Sequence, residues 1–159
     1  MNVIIWNCRG TLKPTFQGHA RDLIRNQNPA ILILMETKVG GERAREISDR
    51  FPFDGGIHTN TIRYAGGLWM LWNSDRVEVN LLSNTKQEIH AVVKVRNSNS
   101  SWLISAIYAS LRSAERRILW NNLNKVAELH ELPLRISLGV GLLGLVAHCC
   151  SRSAWITAT

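Results

Sequence analysis

Cysteine is scarce, three in 159 residues, and poorly spaced for a structural role. Cys8 follows a short apolar run, Cys149 and Cys150 are adjacent, and no C-x-x-C pair occurs. This pattern indicates neither a zinc site nor a disulfide framework, and it suits a reducing compartment. No uninterrupted apolar run reaches the ~20 residues needed to span a bilayer. The longest candidate, Ile136 to Cys150, is broken by glycines. No basic stretch precedes the first apolar run, so no secretory signal is read there. An intracellular, non-secreted protein is expected, with the nucleus open to it. Acidic residues are few as well: 12 against 19 lysines and arginines, a formal net charge of +7. That balance suits a polyanion, nucleic acid first and an anionic membrane surface second, with an ordinary basic surface as the plain alternative.

What the chain does have is material for a core. Hydrophobic residues make up 45% of it, which excludes wholesale disorder, and its length matches one domain. Val3–Trp6 reads as a strand closed by Asn-Cys-Arg-Gly. Phe16, Ala20, Leu23 and Ile24 then recur at helical spacing, and Asn28-Pro29 stops the helix. Ile31–Met35 is continuously apolar, as in a strand covered on both faces. A second helix follows, with Ala44, Ile47 and Phe51 on one face and Pro52 at its end.

From residue 55 the period falls to about two. Gly67–Trp72 and Val77–Leu82 read as strands joined by an Asn73-Ser74-Asp75 turn. In the next strand, Ile89, Ala91, Val93 and Val95 share one face, while His90, Lys94 and Arg96 share the polar one. Trp102–Tyr108 is a further strand, and Ser113 is the expected N-cap of a long helix carrying Leu119, Leu123, Val126 and Ala127. The expected order is β-α-β-α-β-β-β-β-α, a mixed α/β fold with hairpins in its middle. His90 is read as a surface histidine, and Trp69 and Trp72 as core rather than base-stacking residues.

Three strand ends carry polar groups suited to chemistry. Glu36 emerges from "ILILM", where a carboxylate is costly unless solvent, a cation or a donor meets it. Mg²⁺ is bound by one or two carboxylates together with water and substrate phosphate, so Glu36 is a candidate ligand; a solvated glutamate paired with Lys38 is the alternative. Asn7 can orient a carboxylate, meet a phosphate oxygen, or form a turn with its own backbone. Tyr108 closes "WLISAIY" and is followed by Ala109-Ser110; its phenol can donate to a phosphate or face water.

The words "IIWNCRG", "LMETK", "AGGLWMLWN" and "IYAS", in that order over about residues 1–133, resemble the endonuclease/exonuclease/phosphatase superfamily. They are most similar to the endonuclease domains of plant LINE-type (non-LTR) retrotransposons. The resemblance implies a four-layer α/β sandwich, two mixed sheets face to face with helices outside, of which this chain carries the N-terminal part. It implies Mg²⁺-dependent phosphodiester hydrolysis, with Mn²⁺ as a substitute and DNA as the partner. Glu36 would hold the metal, and Asn7 and Tyr108 would act at the scissile phosphate. Arg112, Arg116 and Arg117 are candidates for DNA phosphate, with a solvated helix face as the alternative.

The chain also departs from the family. After the long helix the family continues into a strand ending in Gly-Asp-Phe-Asn, and later carries a Ser-Asp-His word. Neither is present, and nothing after Glu131 is acidic. His148, in "AHCC", has no neighbouring Asp and does not fill the missing histidine's role. Residues 1–133 are therefore expected to form a partial domain of this kind, and 134–159 a divergent tail. The alternative is a strand over Leu138–Val146. A chain without the general base is expected to hydrolyse nothing; a non-catalytic nucleic-acid-binding remnant is the rival reading.

Overall fold

The computed structural model describes residues 1–61, 65–130, 132 and 134–140. The expected tail beyond residue 140, with His148 and most of the Leu138–Val146 segment, lies outside them.

The first sheet is built around the apolar run. Strand β1 (Val3–Asn7) lies parallel to β2 (Ile31–Met35), with Asn7 opposite Met35. On its other side, β2 pairs antiparallel with β4 (Leu68–Trp72), which pairs antiparallel with the outer β3 (Gly55–His58). The order is β1-β2-β4-β3. The second sheet has the order β5-β6-β7-β8, from Val77–Asn84, Glu88–Val95, Ser101–Ala109 and Leu134–Val140. Its first three strands are antiparallel, and β8 joins β7 in parallel. The register of β5 against β6 shifts between Leu81 and Ser83.

Three apolar clusters make four layers. Leu32 and Leu34 of β2, with Trp69 and Leu71 of β4, meet the helices α1 (Phe16–Gln27) and α2 (Gly41–Ser48) through Phe16, Ala20, Ala44 and Ile47. The opposite faces of the same strands, Ile31, Ile33 and Met70 among them, pack on Ile89, Ala91, Val93, Ile104 and Ala106 of the second sheet. Both faces of β2 are thus covered, as its unbroken apolar sequence requires. Burying side chains of this size stabilises by about 1.5–3 kcal/mol each. On the outer face of the second sheet, helix α3 (Ser113–Leu129) rests Leu119 and Leu123 on Ile107 and Ala109.

The chain parts from the sequence reading in five places. Residues 134–140, read as the start of a divergent tail, form β8 and join the second sheet beside β7, earlier than the alternative strand over Leu138–Val146. The turn at Asn73–Asp75 does not close a hairpin: β4 and β5 belong to different sheets, and the turn carries the chain across. Strand β3 was not foreseen, because Gly55-Gly56 has no strand pattern. The indole of Trp72 occupies the space where a Cβ at Gly55 would stand, so only glycine lets β3 lie there. Ser113 is the first residue of α3 rather than its cap; Arg112, in extended conformation, precedes it. Finally, His90 is fully buried, not at the surface. It bonds Ser105 Oγ through Nδ1 at 2.7 Å and Glu88 Oε2 through Nε2 at 2.9 Å. Asn122 of α3 closes this buried group with a 2.6 Å bond from Nδ2 to Glu88 Oε1.

Candidate functional site at the strand ends

Parallel pairing of β1 and β2 brings their C-terminal ends together, and three loops are stitched there by backbone bonds. The Cys8 N–H donates to Met35 O at 3.1 Å, and the Thr11 N–H to Thr37 O at 3.0 Å. The Thr11 hydroxyl adds a second bond to Thr37 O at 3.1 Å. From the other side, the Thr37 N–H reaches Gly67 O at 3.3 Å and the Lys38 N–H reaches Gly66 O at 2.8 Å. Trp69 Nε1 donates to Val39 O at 3.1 Å and pins the end of the same loop.

This junction has an unusual backbone. Arg9 (φ 53°), Glu36 (φ 57°) and Lys38 (φ 61°) are left-handed without being glycine, and Gly10, Gly66 and Gly67 are left-handed beside them. Such conformations persist only where the surroundings over-determine them, and they cluster at binding and catalytic sites. At Gly67 (φ +93°) a Cβ would collide with Thr37 Oγ1 and Thr61 Cγ2, so close approach adds to the demand for glycine.

Each residue singled out from the sequence has a definite place. Glu36 leaves the end of β2 with a side chain only 18% exposed, and its Oε1 lies 3.4 Å from Lys38 Nζ. Tyr108, half-buried near the end of β7, has its ring beside Gly66, where even a Cβ would come within 3.5 Å of Cδ1. Burial, reinforced by the nearby Glu36 charge, raises the Tyr108 phenol above its ordinary pKa, so at neutral pH it is a hydrogen-bond donor. Asn7 is exposed and its Oδ1 accepts the Arg9 N–H at 3.2 Å, the turn that its residue type allows. Glu36, Lys38, Gly66 and Tyr108 are therefore brought together, with Asn7 at the adjoining strand end.

The three arginines differ from one another. Arg116 Nη1 donates to the carbonyls of Ser110 (3.1 Å) and Leu111 (2.5 Å), so its guanidinium caps the loop after β7. Arg112 and Arg117 are exposed, and Arg112 stands 3.9 Å from Glu115. Gln87 was not foreseen. Its carbonyl accepts the Tyr108 N–H at 2.8 Å and its Oε1 accepts the Ser110 N–H at 2.8 Å, which fixes the end of β7. Beside Tyr108 a cleft of about 250 Å³ opens between Gly66, Gln87 and Leu111, with Lys86 and Arg112 at its rim.

Glu36 supplies a hard oxygen donor in a recess, which fits a Mg²⁺ or Mn²⁺ ion that keeps most of its waters. Among the described residues, no three His, Cys, Asp or Glu side chains converge as a metal set. A dry, fully protein-coordinated ion does not fit. Cys8 is no thiolate ligand: burial pushes its pKa up to about 11. Among the described residues no helix is long and apolar enough to cross a membrane.

No family model matches the sequence, and no curated protein does. Solved structures do match. The human Nocturnin catalytic domain with bound sulfate aligns with a TM-score of 0.64 at 17% identity, over 86% of this chain and 62% of that one. The endonuclease domain of TRAS1, a telomere-specific non-LTR retrotransposon, aligns at 0.60 and 11% identity, over 86% and 57%. An endonuclease/exonuclease/phosphatase family protein from Bacteroides thetaiotaomicron aligns at 0.60 and 10% identity, over 86% and 62%. The chain thus spans about three-fifths of the length of these structures, and identities this low speak for the fold. Two facing mixed sheets flanked by helices, in this order, are the α/β-sandwich fold that these solved structures share.

Proposed function

We propose that the strand-end junction is a phosphodiester-binding site that takes a divalent metal, Mg²⁺ or Mn²⁺, and acts toward DNA. The observation that carries this reading is the left-handed Glu36, recessed among stitched loops and near enough for its charge to raise the Tyr108 phenol. Glu36 would hold the ion, weakly, because one carboxylate rarely overcomes the reluctance of Mg²⁺ to shed water. When bound, the metal polarises phosphate and lowers the pKa of a water. Tyr108 donates to a phosphate oxygen, and the Asn7 amide reaches the phosphate from the neighbouring strand end. Arg112 and Arg117 contribute exposed positive charge, while Arg116 shapes the loop between them and Tyr108.

The chain binds in this reading and does not cleave. After the long helix, where the resembled family carries Gly-Asp-Phe-Asn, this chain reads otherwise, so the Asp that would take a proton from water is not supplied there. General-base assistance is typically worth ~10²–10⁴ in rate, and removing one member of a concerted set costs about as much as removing all. A non-catalytic nucleic-acid-binding role is the second reading; it is favoured because, among the described residues, no three His, Cys, Asp or Glu side chains converge as a metal set.

Two measurements test this. Mn²⁺ titration followed by tryptophan emission should show weak saturation that Glu36→Gln abolishes; equal affinity in the variant would sink the metal assignment. Supercoiled plasmid incubated with the 159-residue chain and Mg²⁺ or Mn²⁺ should remain unnicked. Nicking that disappears in Glu36→Ala would instead establish an enzyme with a substitute base.

A further inference from the structure

We infer that Lys38 is a built-in counter-cation for Glu36, which a divalent ion displaces and which then meets phosphate. The inference rests on the metal reading of Glu36 given above. It comes from how the two side chains are held. Lys38 Nζ lies 3.4 Å from Glu36 Oε1, although Lys38 is 43% exposed and has open water to turn toward. Its backbone is left-handed and tied by the 2.8 Å bond from its N–H to Gly66 O. Its stem runs over Gly10, another left-handed residue, where a Cβ would stand 3.6 Å from Lys38 Cδ. That distance is ordinary van der Waals contact, so the stem lies along the Gly10 turn beside the recess without crowding it.

An ammonium and a divalent ion cannot both sit on one carboxylate edge, because each repels the other at that range. Without metal, Glu36 and Lys38 form a neutral pair, and the recess offers little attraction to an anion. A divalent ion on Glu36 breaks the pair and leaves the junction doubly positive, with a mobile ammonium beside the ion. Charge-assisted bonds to phosphate then become available to Lys38. Metal and polyanion therefore reinforce each other, and reciprocity requires the DNA to raise metal affinity by the same factor. Lys38 is a positioning residue in this scheme, with two partners and two states.

The test compares wild type, Lys38→Met, Lys38→Asn, Lys38→Arg and Glu36→Gln. Each is titrated with Mn²⁺ alone, and with a short labelled DNA duplex in EDTA and at saturating Mn²⁺. Asparagine suits a left-handed backbone, so Lys38→Asn keeps the loop if methionine disturbs it. With the competing charge gone, both neutral variants should bind Mn²⁺ about two- to fivefold more tightly, the range expected for a partly exposed ion pair. They should also lose most of the gain in DNA affinity that Mn²⁺ brings to wild type. Lys38→Arg should keep that gain. Neutral variants that bind Mn²⁺ no more tightly, while Glu36→Gln still abolishes binding, would overturn the counter-cation and leave the metal site standing. Mn²⁺ binding unaffected by Glu36→Gln would overturn both.

Discussion

Glu88 and His90, two residues apart on β6, are joined by a 2.9 Å bond between Oε2 and Nε2, with side chains 2% and 0% exposed. Successive odd positions of β6 face the other sheet, so these two face α3, and Ser105 stands directly across from His90 on β7. Burial works to raise the Glu88 pKa, but the bonds from His90 and Asn122 outweigh it and hold the carboxyl below its ordinary value.

That balance sets an acid limit on the fold. A carboxylate whose pKa is lower in the folded state adds stability above its unfolded value, and loses it as pH falls through the folded one. Denaturant midpoints should therefore hold above about pH 4.5, the ordinary value for Glu, and drop below it. Glu88→Ala should cost about 3–5 kcal/mol at neutral pH by leaving His90 and Asn122 without their acceptor, and should flatten the acid slope. A slope unchanged in Glu88→Ala would assign the acid sensitivity elsewhere.

Gly67→Ala tests the junction. Its φ of +93° and the crowding by Thr37 and Thr61 are both hostile to a Cβ. The substitution should cost about 2–4 kcal/mol, read from chemical denaturation, and should weaken Mn²⁺ binding because the Glu36–Lys38 loop hangs on the Gly66 and Gly67 carbonyls.

Cys8 should behave as an inert thiol. Its Sγ is buried and donates to Met35 O at 3.4 Å, and its pKa of about 11 leaves almost no thiolate at pH 8. In a background with Cys149 and Cys150 replaced by serine, iodoacetamide should label Cys8 only after denaturation. Rapid labelling of the native protein at pH 8 would contradict the packing.

Salt dependence should separate the arginines. With a net charge of +7, DNA binding should weaken by about 0.9 log units per phosphate contact for each log unit of salt. Arg112→Ala and Arg117→Ala should each lower that slope by about one contact. Arg116→Ala should mainly destabilise the loop, since its guanidinium is already held by the Ser110 and Leu111 carbonyls. Identical slopes in all three variants would remove α3 from the DNA-facing surface.

Which features could be read from the sequence follows from what determines each. The covered strand β2 was legible because five consecutive apolar residues have few other uses, and the inward face of β6 because Ile89, Ala91 and Val93 keep a period of two. The change of sheet at Asn73–Asp75 was not legible, since the same turn chemistry serves a hairpin and a crossing between sheets. His90 misled because Lys94 and Arg96 share its side of β6; only the passage of α3 over one end of that strand buries it. At the junction, Glu36 was visible by its contrast with "ILILM" and Tyr108 by its place near a strand's end. The left-handed backbone at Arg9, Glu36 and Lys38 carries no residue signature.

The register shift at Leu81–Ser83 has a consequence for life in a crowded solution. Strand β5 is an outer strand of its sheet, with Leu81 and Leu82 exposed near its end. A straight outer strand with exposed leucines would offer its free N–H and C=O groups as a template for another chain. The extra residue breaks the two-residue repeat of those groups and twists the strand out of plane. A second β-strand laid against β5 can match the half before Leu81 or the half after Ser83, and misses the other. The irregularity thus removes a straight, regularly spaced template from the edge that carries the exposed leucines.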